Sequence, residues 1–287
     1  MLEKAKILDV DQVFVDLEDS VAPALKTDET RAKVVTALTT AEWAARTMVV
    51  RVNAVGTPWC VDDVMLVVAG AGDALDCLML PKVESSADVQ FVDRLLEHLE
   101  TKHRLSKRIA LEVQIESPRG LLEIERIAIA SPRIESLIFG PGDYAAAAGI
   151  PQLTVGAISE TYGGDHWHYV LSKIVTVAHA YGLHAIDGPY AAIRDLDGFR
   201  TVAARSCALG FDGKWALHPD QIPICNEIYS PSETEFVRAI SILEAYAEAT
   251  TDQGRGAVLY GDEMIDEASA KMARSIAARG LAAGYQA

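Results

Sequence analysis

The sequence predicts an α/β fold, a (β/α)8 TIM-type barrel carrying a C-terminal helix–hairpin–helix extension. Two observations lead there. Short runs rich in β-branched residues recur along the chain, each ending in polar or Gly/Pro residues and followed by apolar residues at helical spacing. Strands that alternate with helices imply parallel βαβ units. The length of 287 residues suits either two ordinary domains or one large α/β barrel of about 250 residues. Half of the residues are hydrophobic and 23% are charged, which excludes a disordered polyampholyte and leaves ample material for a core.

Seven strands are expected in order, at Val13–Asp19, Met48–Asn53, Asp76–Lys82, Ile109–Ser117, Glu135–Gly142, Leu183–Pro189 and Gly213–Pro219. Helical patterns lie between them. In Ala87–Lys102 the residues Val89, Val92, Leu95, Leu96 and Leu99 share that spacing, and in Trp167–Tyr181 Val170, Leu171, Ile174, Val175 and Ala178 fall on one side. A closed eight-stranded barrel needs one strand more. Residues 1–14 do not supply it, because Glu3–Asp11 reads as a helix feeding the strand at Val13. The chain is therefore expected to start inside the first βα unit, with a first strand missing through a misplaced or truncated start, or with the barrel closed differently.

Beyond the last strand the pattern changes. Ser230-Pro231-Ser232-Glu233 reads as a capping box with proline at the first helical position, opening a long helix through about Ala249. A Gly-rich link, Gly254-Arg255-Gly256, leads to a hairpin over Ala257–Ile265 turning at Gly261-Asp262, and an Ala-rich helix starts near Asp266. These elements divide the chain into a (β/α)8-type barrel at 1–229 and an extension at 230–287. The extension is too small for a core of its own and is expected to pack on the barrel or on a neighbouring subunit.

Charge and cysteine usage narrow the partners. Lys plus Arg total 26 and Asp plus Glu 41, so the formal charge is 26 − 41 = −15. Such an acidic chain repels phosphate backbones, and no basic patch offsets that, so no nucleic-acid partner is expected. No run of 18 apolar residues occurs and the N-terminus lacks the apolar segment of a signal peptide, so no membrane is expected either. Cys60, Cys77, Cys207 and Cys225 are far apart with no C-x-x-C spacing. They suggest neither zinc nor a disulfide framework, and a cytoplasmic location is the simpler expectation.

In a parallel barrel the site lies at the C-terminal ends of the strands. Those ends carry Asp16, Glu18 and Asp19, then Arg51 and Asn53, Lys82, Glu116, Asp143, Asp187 and His218. Glu116 and Asp143 follow adjacent strands, about 4.8 Å apart. Two carboxylates so placed either share a proton or hold a hard cation, and oxygen ligands favour Mg2+ or Mn2+ over zinc. The alternative is a pair of solvated loop carboxylates. Gly140-Pro141-Gly142 offers backbone amides to an anion. Arg51 interrupts an apolar strand, so it must be paired, either with a substrate carboxylate or carbonyl or with Glu18 or Asp19. Glu112, Gln114 and Glu116 share one parity and form a polar stripe facing into the barrel. His218 reads as a loop anchor rather than a base, and His166 and His168 do not share a helix face.

Read in order, Val15-Asp16-Leu17-Glu18-Asp19-Ser20-Val21-Ala22-Pro23, Arg51-Val52-Asn53, Leu80-Pro81-Lys82-Val83-Glu84, Gln114-Ile115-Glu116-Ser117-Pro118, Phe139-Gly140-Pro141-Gly142-Asp143 and the 210–221 segment resemble the HpcH/HpaI aldolase and citrate lyase β-subunit superfamily across nearly the whole chain. Asp165-His166-Trp167-His168-Tyr169, Asp187-Gly188-Pro189-Tyr190 and Gly213-Lys214-Trp215-Ala216-Leu217-His218-Pro219 resemble the malyl-CoA and β-methylmalyl-CoA lyases more than the citrate lyase β subunits.

The resemblance implies a Mg2+-dependent (Mn2+ being possible) Claisen-type lyase that assembles as a homotrimer or homohexamer. It would cleave a 3-hydroxyacyl-CoA to an acyl-CoA and a small α-keto acid such as glyoxylate. Glu116 and Asp143 match the family's metal ligands, and these two with Gly142 and Arg51 line its substrate site. Arg51 and Asp266 match catalytic positions, Asp266 being brought over a neighbouring subunit's site. Lys4 matches a lysine that contacts coenzyme A, and Glu18 and Asp19 match carboxylates that orient Arg51 and metal-bound water. The family's opening strand, with its coenzyme A contacts, is not matched here. Alternatives are a malyl-CoA thioesterase, a citryl- or citramalyl-CoA lyase, or a non-catalytic barrel subunit.

Overall fold

Runs such as Met48-Val49-Val50 and Leu78-Met79-Leu80 carry apolar residues on both faces, which is what a strand sandwiched between helices and an interior requires. A computed structural model describes residues 2–159, 162–251 and 256–286 of the chain, which folds into two units, residues 1–225 and 226–287. Gly254 and Arg255 of the expected link lie outside the described residues.

The first unit repeats one βα motif. It runs α1 (Leu2–Ala5), β1 (Gln12–Asp16), α2 (Asp28–Thr40), β2 (Thr47–Arg51), α3 (Cys60–Ala71), β3 (Cys77–Leu80), α4 (Ser86–His103), β4 (Ala110–Ile115) and α5 (Pro118–Ala128). It continues with β5 (Ile134–Phe139), α6 (Pro141–Ala148), α7 (His168–Ala180), β6 (His184–Asp187), α8 (Leu196–Leu209), β7 (Gly213–Lys214) and α9 (Ile222–Tyr229), the last of which crosses into the second unit. The seven strands are parallel and form one sheet in the order β1-β2-β3-β4-β5-β6-β7. Each strand thus pairs with its neighbours in sequence, as right-handed βαβ crossovers produce.

The sheet is curled. Alternate side chains meet on its inner face, where Val49, Cys77, Met79, Ile138 and Trp215 cluster with Phe14, Ala110 and Ile186. Phe14 from β1 and Trp215 just past β7 lie 4.5 Å apart between ring centroids, so side chains from opposite edges of the sheet touch. Between β4 and β5 the register slips at Leu111/Glu112, and Glu135 is left exposed as the extra residue.

Two expectations need correction. Glu3–Asp11 is not one helix. The carbonyls of Lys6 and Asp11 accept the N–H groups of Ala44, Arg46 and Thr47, which anchors an extended segment and confines the helix to α1. The Ser-x-x-Glu spacing occurs twice near the second unit, and the later copy is used. Ser232 Oγ accepts the Glu235 N–H at 3.2 Å while Glu235 Oε2 accepts the Ser232 N–H at 2.8 Å, so Pro231 precedes the cap.

The second unit contains α10 (Glu233–Thr251), the antiparallel pair β8 (Ala257–Tyr260) and β9 (Glu263–Asp266), and α11 (Glu267–Ala282). Small residues let α10 and α11 approach closely. A Cβ on Gly280 would lie 2.2 Å from the Phe236 ring, and Ala270, Ala273 and Ala277 are buried.

Candidate active site

Arg51 ends β2 directly opposite Asp16, the last residue of β1. This register brings a guanidinium and a carboxylate face to face. Arg51 Nε donates to Asp16 Oδ1 at 2.8 Å and Nη2 donates to Oδ2 at 2.6 Å, a planar two-point fork. The partner expected for Arg51 was Glu18 or Asp19. Asp16 takes the main role because parallel pairing places it alongside, whereas Glu18 Oε2 and Asp19 Oδ2 stand 3.2 and 3.7 Å from Nη1. The guanidinium also lies against the Trp215 ring, 5.5 Å from its centroid. Burial pushes the Asp16 carboxyl up, but the Arg51 bond and charge and the Glu18 and Ser20 N–H groups hold it below the usual range.

The loop after β1 is tied down by Lys26. Its ammonium donates to the carbonyls of Leu17 at 3.2 Å and Glu18 at 2.7 Å, and to Asn53 Oδ1. Asn53 in turn donates through Nδ2 to Asp63 Oδ2 at 2.6 Å, and Arg31 Nε donates to Asp63 Oδ1 at 2.7 Å. Helices α2 and α3 therefore fix the loop that carries Glu18 and Asp19.

Glu116 follows β4 and is 4% exposed. Gln114 Nε2 donates to its Oε1 at 2.9 Å and the Lys82 backbone N–H to its Oε2 at 2.8 Å. Burial, and then the charge of Asp143, push its carboxyl up to about 7. The turn after β5 must pass close by, and only glycine fits there, since a Cβ on Gly140 would lie 2.3 Å from Glu116 Cγ and Oε1. Asp143 sits in the first turn of α6, half exposed, 3.7 Å from the Lys82 ammonium. Lys82 itself adopts φ +52°, a left-handed conformation that costs a residue with a side chain about 1 kcal/mol or more. Its ammonium bonds to Glu18 Oε1 and lies 3.3 Å from Asp19 Oδ1. Burial holds Glu18 above its ordinary value against the Lys82 bond and the Arg51 charge.

The structure thus brings together Arg51, Glu18, Asp19, Glu116 and Asp143, with Gly142 beside Asp143 in α6. Asp16, Lys82 and Lys26 complete the cluster; the sequence placed Asp16 and Lys82 at the strand ends without assigning either a partner, and did not single out Lys26. Strand parity opposite Arg51 could have revealed Asp16, but nothing in the residue pattern announced the backbone turn at Lys82. Lys4 is exposed on α1. Asp266 lies in the second unit as the N-cap of α11, accepting the N–H groups of Ala268 at 2.9 Å and Ser269 at 3.1 Å. The Ser269 N–H, outweighing slight burial and joined by Ala268, holds its carboxyl below the usual range. His218 Nδ1 accepts the Asp220 N–H, as a loop anchor does, and His166 bonds to Gln152. At the ends of β6 and β7, Asp187 and Lys214 form a buried ion pair of 2.6 Å.

The donor set suits a hard divalent cation. The charge of Asp143 raises the proton affinity of Glu116 through space, a condition that a cation between them relieves. Among the described residues no group of three or more His, Cys, Asp or Glu gathers as a ligand set. Two carboxylates, with other positions left to water and substrate oxygens, is a usual protein contribution to Mg2+.

Parallel strand ends bearing buried carboxylates beside an arginine fork carry the groups of an enzyme's site, and the chain's family and relatives make it a carbon–carbon lyase. The chain belongs to the HpcH/HpaI aldolase/citrate lyase family, whose sequence model matches residues 1–219. It is 38% identical over 285 residues to the L-malyl-CoA/β-methylmalyl-CoA lyase of Cereibacter sphaeroides, covering 96% of this chain and 89% of that one. It is 32% identical over 280 residues to a (3S)-malyl-CoA thioesterase of the same species, covering 97% and 89%. Among solved structures it resembles CitE of Mycobacterium tuberculosis in complex with magnesium, acetoacetate and coenzyme A, with a TM-score of 0.71, 28% identity and coverage of 94% and 90%. No helix among the described residues is long and apolar enough to cross a membrane.

Proposed function

We propose that the protein cleaves, or in reverse forms, a 3-hydroxyacyl-CoA such as malyl-CoA or β-methylmalyl-CoA, giving an acyl-CoA and glyoxylate. The observation that carries this is the convergence of the Arg51 fork with the buried Glu116 and its neighbour Asp143. The lyase relative is matched over nearly the whole chain, which supports the same substrate class.

Glu116 and Asp143 would hold Mg2+, with Mn2+ a chemically similar alternative. When bound, the cation supplies Lewis-acid polarisation of the keto-acid oxygens. Arg51 has two of its donors fixed on Asp16, which leaves Nη1, facing Glu18 and Asp19, as the edge that meets an oxygen gaining negative charge. In cleavage the C2–C3 bond breaks and its electron pair moves to the thioester enolate. The hydroxyl proton passes to a carboxylate as the keto-acid carbonyl forms, and that carboxylate delivers it to the enolate carbon. We assign that proton transfer to Asp266 of a neighbouring copy, in a trimer or hexamer. Gly142 would present its backbone to the substrate, and Lys4 would meet coenzyme A. We also read the curled sheet as seven strands of a (β/α)8 barrel, a reading that the contact between Phe14 and Trp215 supports.

The test is a direct assay with Mg2+ and malyl-CoA, trapping glyoxylate as its hydrazone and following free malate by mass spectrometry. Glyoxylate with acetyl-CoA is expected. Malate alone would indicate the thioesterase chemistry of the 32% identical relative. Neither product from malyl-CoA or β-methylmalyl-CoA, with folded protein, would overturn the assignment.

A further inference from the structure

Lys82 reaches four carboxylates of the site, three through its side chain and one through its backbone. The N–H bonds to Glu116 Oε2 at 2.8 Å, while the ammonium binds Glu18 and lies 3.3 Å from Asp19 and 3.7 Å from Asp143. A backbone at φ +52° is needed for one residue to turn both groups toward the cluster. Strain of that kind persists only where the surroundings enforce it. Here the next residue, Val83, is buried and its carbonyl is pressed by the first turn of α5, since a Cβ on Gly120 would lie 2.6 Å from it.

We propose that Lys82 is the site's own counter-ion, a tethered cation that shares Asp143 with the divalent ion and thereby sets the affinity for it. This rests on the reading of Glu116 and Asp143 as cation ligands. Arg51 offsets part of the charge of Glu18 and Asp19, while Lys82 brings a cation to Asp143 as well; without it the gathered carboxylates would drive one another apart. The ammonium prevents this and keeps the carboxylates in place. The same charge repels an incoming divalent ion, because Coulomb repulsion between cations a few ångströms apart in a half-buried site remains substantial. The site therefore binds its ion more weakly than its carboxylates alone would, and Lys82, already held by Glu18 and beside Asp19, would give up Asp143 to the ion. Lys82 acts as a positioning residue in this, through the carboxylates.

The experiment measures Mn2+ binding to the unliganded protein by electron paramagnetic resonance, in the wild type and in Lys82→Met, Lys82→Gly and Lys82→Arg, each checked for folding by circular dichroism. Lys82→Met and Lys82→Gly both keep the backbone N–H and lose the ammonium, and only the glycine also relieves the backbone. Both should tighten Mn2+ binding about tenfold, while Lys82→Arg stays near the wild type. Unchanged or weaker binding in both charge-removed variants overturns the role of Lys82 while leaving the cation site standing. A gain in Lys82→Gly alone would assign the effect to strain and overturn the charge argument. If the wild type binds no Mn2+, or binds it as well after Glu116→Gln, the cation reading itself fails and takes this inference with it.

Discussion

Burial raises two glutamates, Glu112 on β4 and Glu116 just beyond its end, for related reasons. Burial pushes Glu112 up to about 7, against hydrogen bonds donated by Gln12 and Ser136. Because its folded value lies above its ordinary 4.5, its contribution to stability is complete below about pH 4.5 and is lost as the pH rises through about 7. Glu112→Gln removes that loss. Urea melts of the variant and the wild type should diverge by about 3 kcal/mol in favour of the variant between pH 4.5 and pH 8, and parallel curves would place the Glu112 proton elsewhere. Arg51 was legible because a guanidinium inside an apolar strand demands a partner, and Glu116 because it ends a polar stripe. The identity of the Arg51 partner was not, since it depends on which residue the β1–β2 register sets opposite. Arg51→Lys keeps the charge but not the fork, so turnover should fall by about 10²-fold with little change in melting temperature.

At the level of elements, the beginnings of helices do much of the placing. The first turn of α6 carries Asp143, and the glycine before it makes room for Glu116. Gly140→Ala should displace the Glu116 carboxylate and lower turnover at least tenfold, which steady-state kinetics would show; unchanged kinetics would mean that Glu116 has room to spare. Asp266 caps α11, and asparagine caps a helix about as well as aspartate. Asp266→Asn should therefore leave the melting temperature unchanged while turnover falls on the order of 10²-fold, whereas Asp266→Ala should lower both. Full activity in the asparagine variant would leave Asp266 with its cap alone. The strands at Met48 and Leu78 were readable because β-branched and apolar residues leave few other options. The extended segment before β1 was not, because its carbonyls are claimed by Ala44, Arg46 and Thr47, far along the chain.

For the whole molecule, a chain of net charge −15 that clusters carboxylates at the ends of its strands should, on the proposed reading, be stabilised by a divalent ion bound there. A ligand bound only to the folded state at 100 times its Kd adds about 2.7 kcal/mol. Mg2+ should accordingly raise the melting temperature of the wild type and leave that of Glu116→Gln unmoved, as differential scanning calorimetry can test. The alternation of strand and helix made the α/β architecture legible throughout, while the curl of the sheet rests on contacts such as that of Phe14 with Trp215, two hundred residues apart in sequence. The order of the strands has one more consequence. As the chain leaves a ribosome, each new strand of the sheet emerges with its hydrogen-bonding neighbour already synthesised, so none has to wait for a partner still inside the exit tunnel. The sheet can be laid down in the direction of translation, one unit at a time, and its growing edge is always the strand most recently made, covered in turn by the next to emerge.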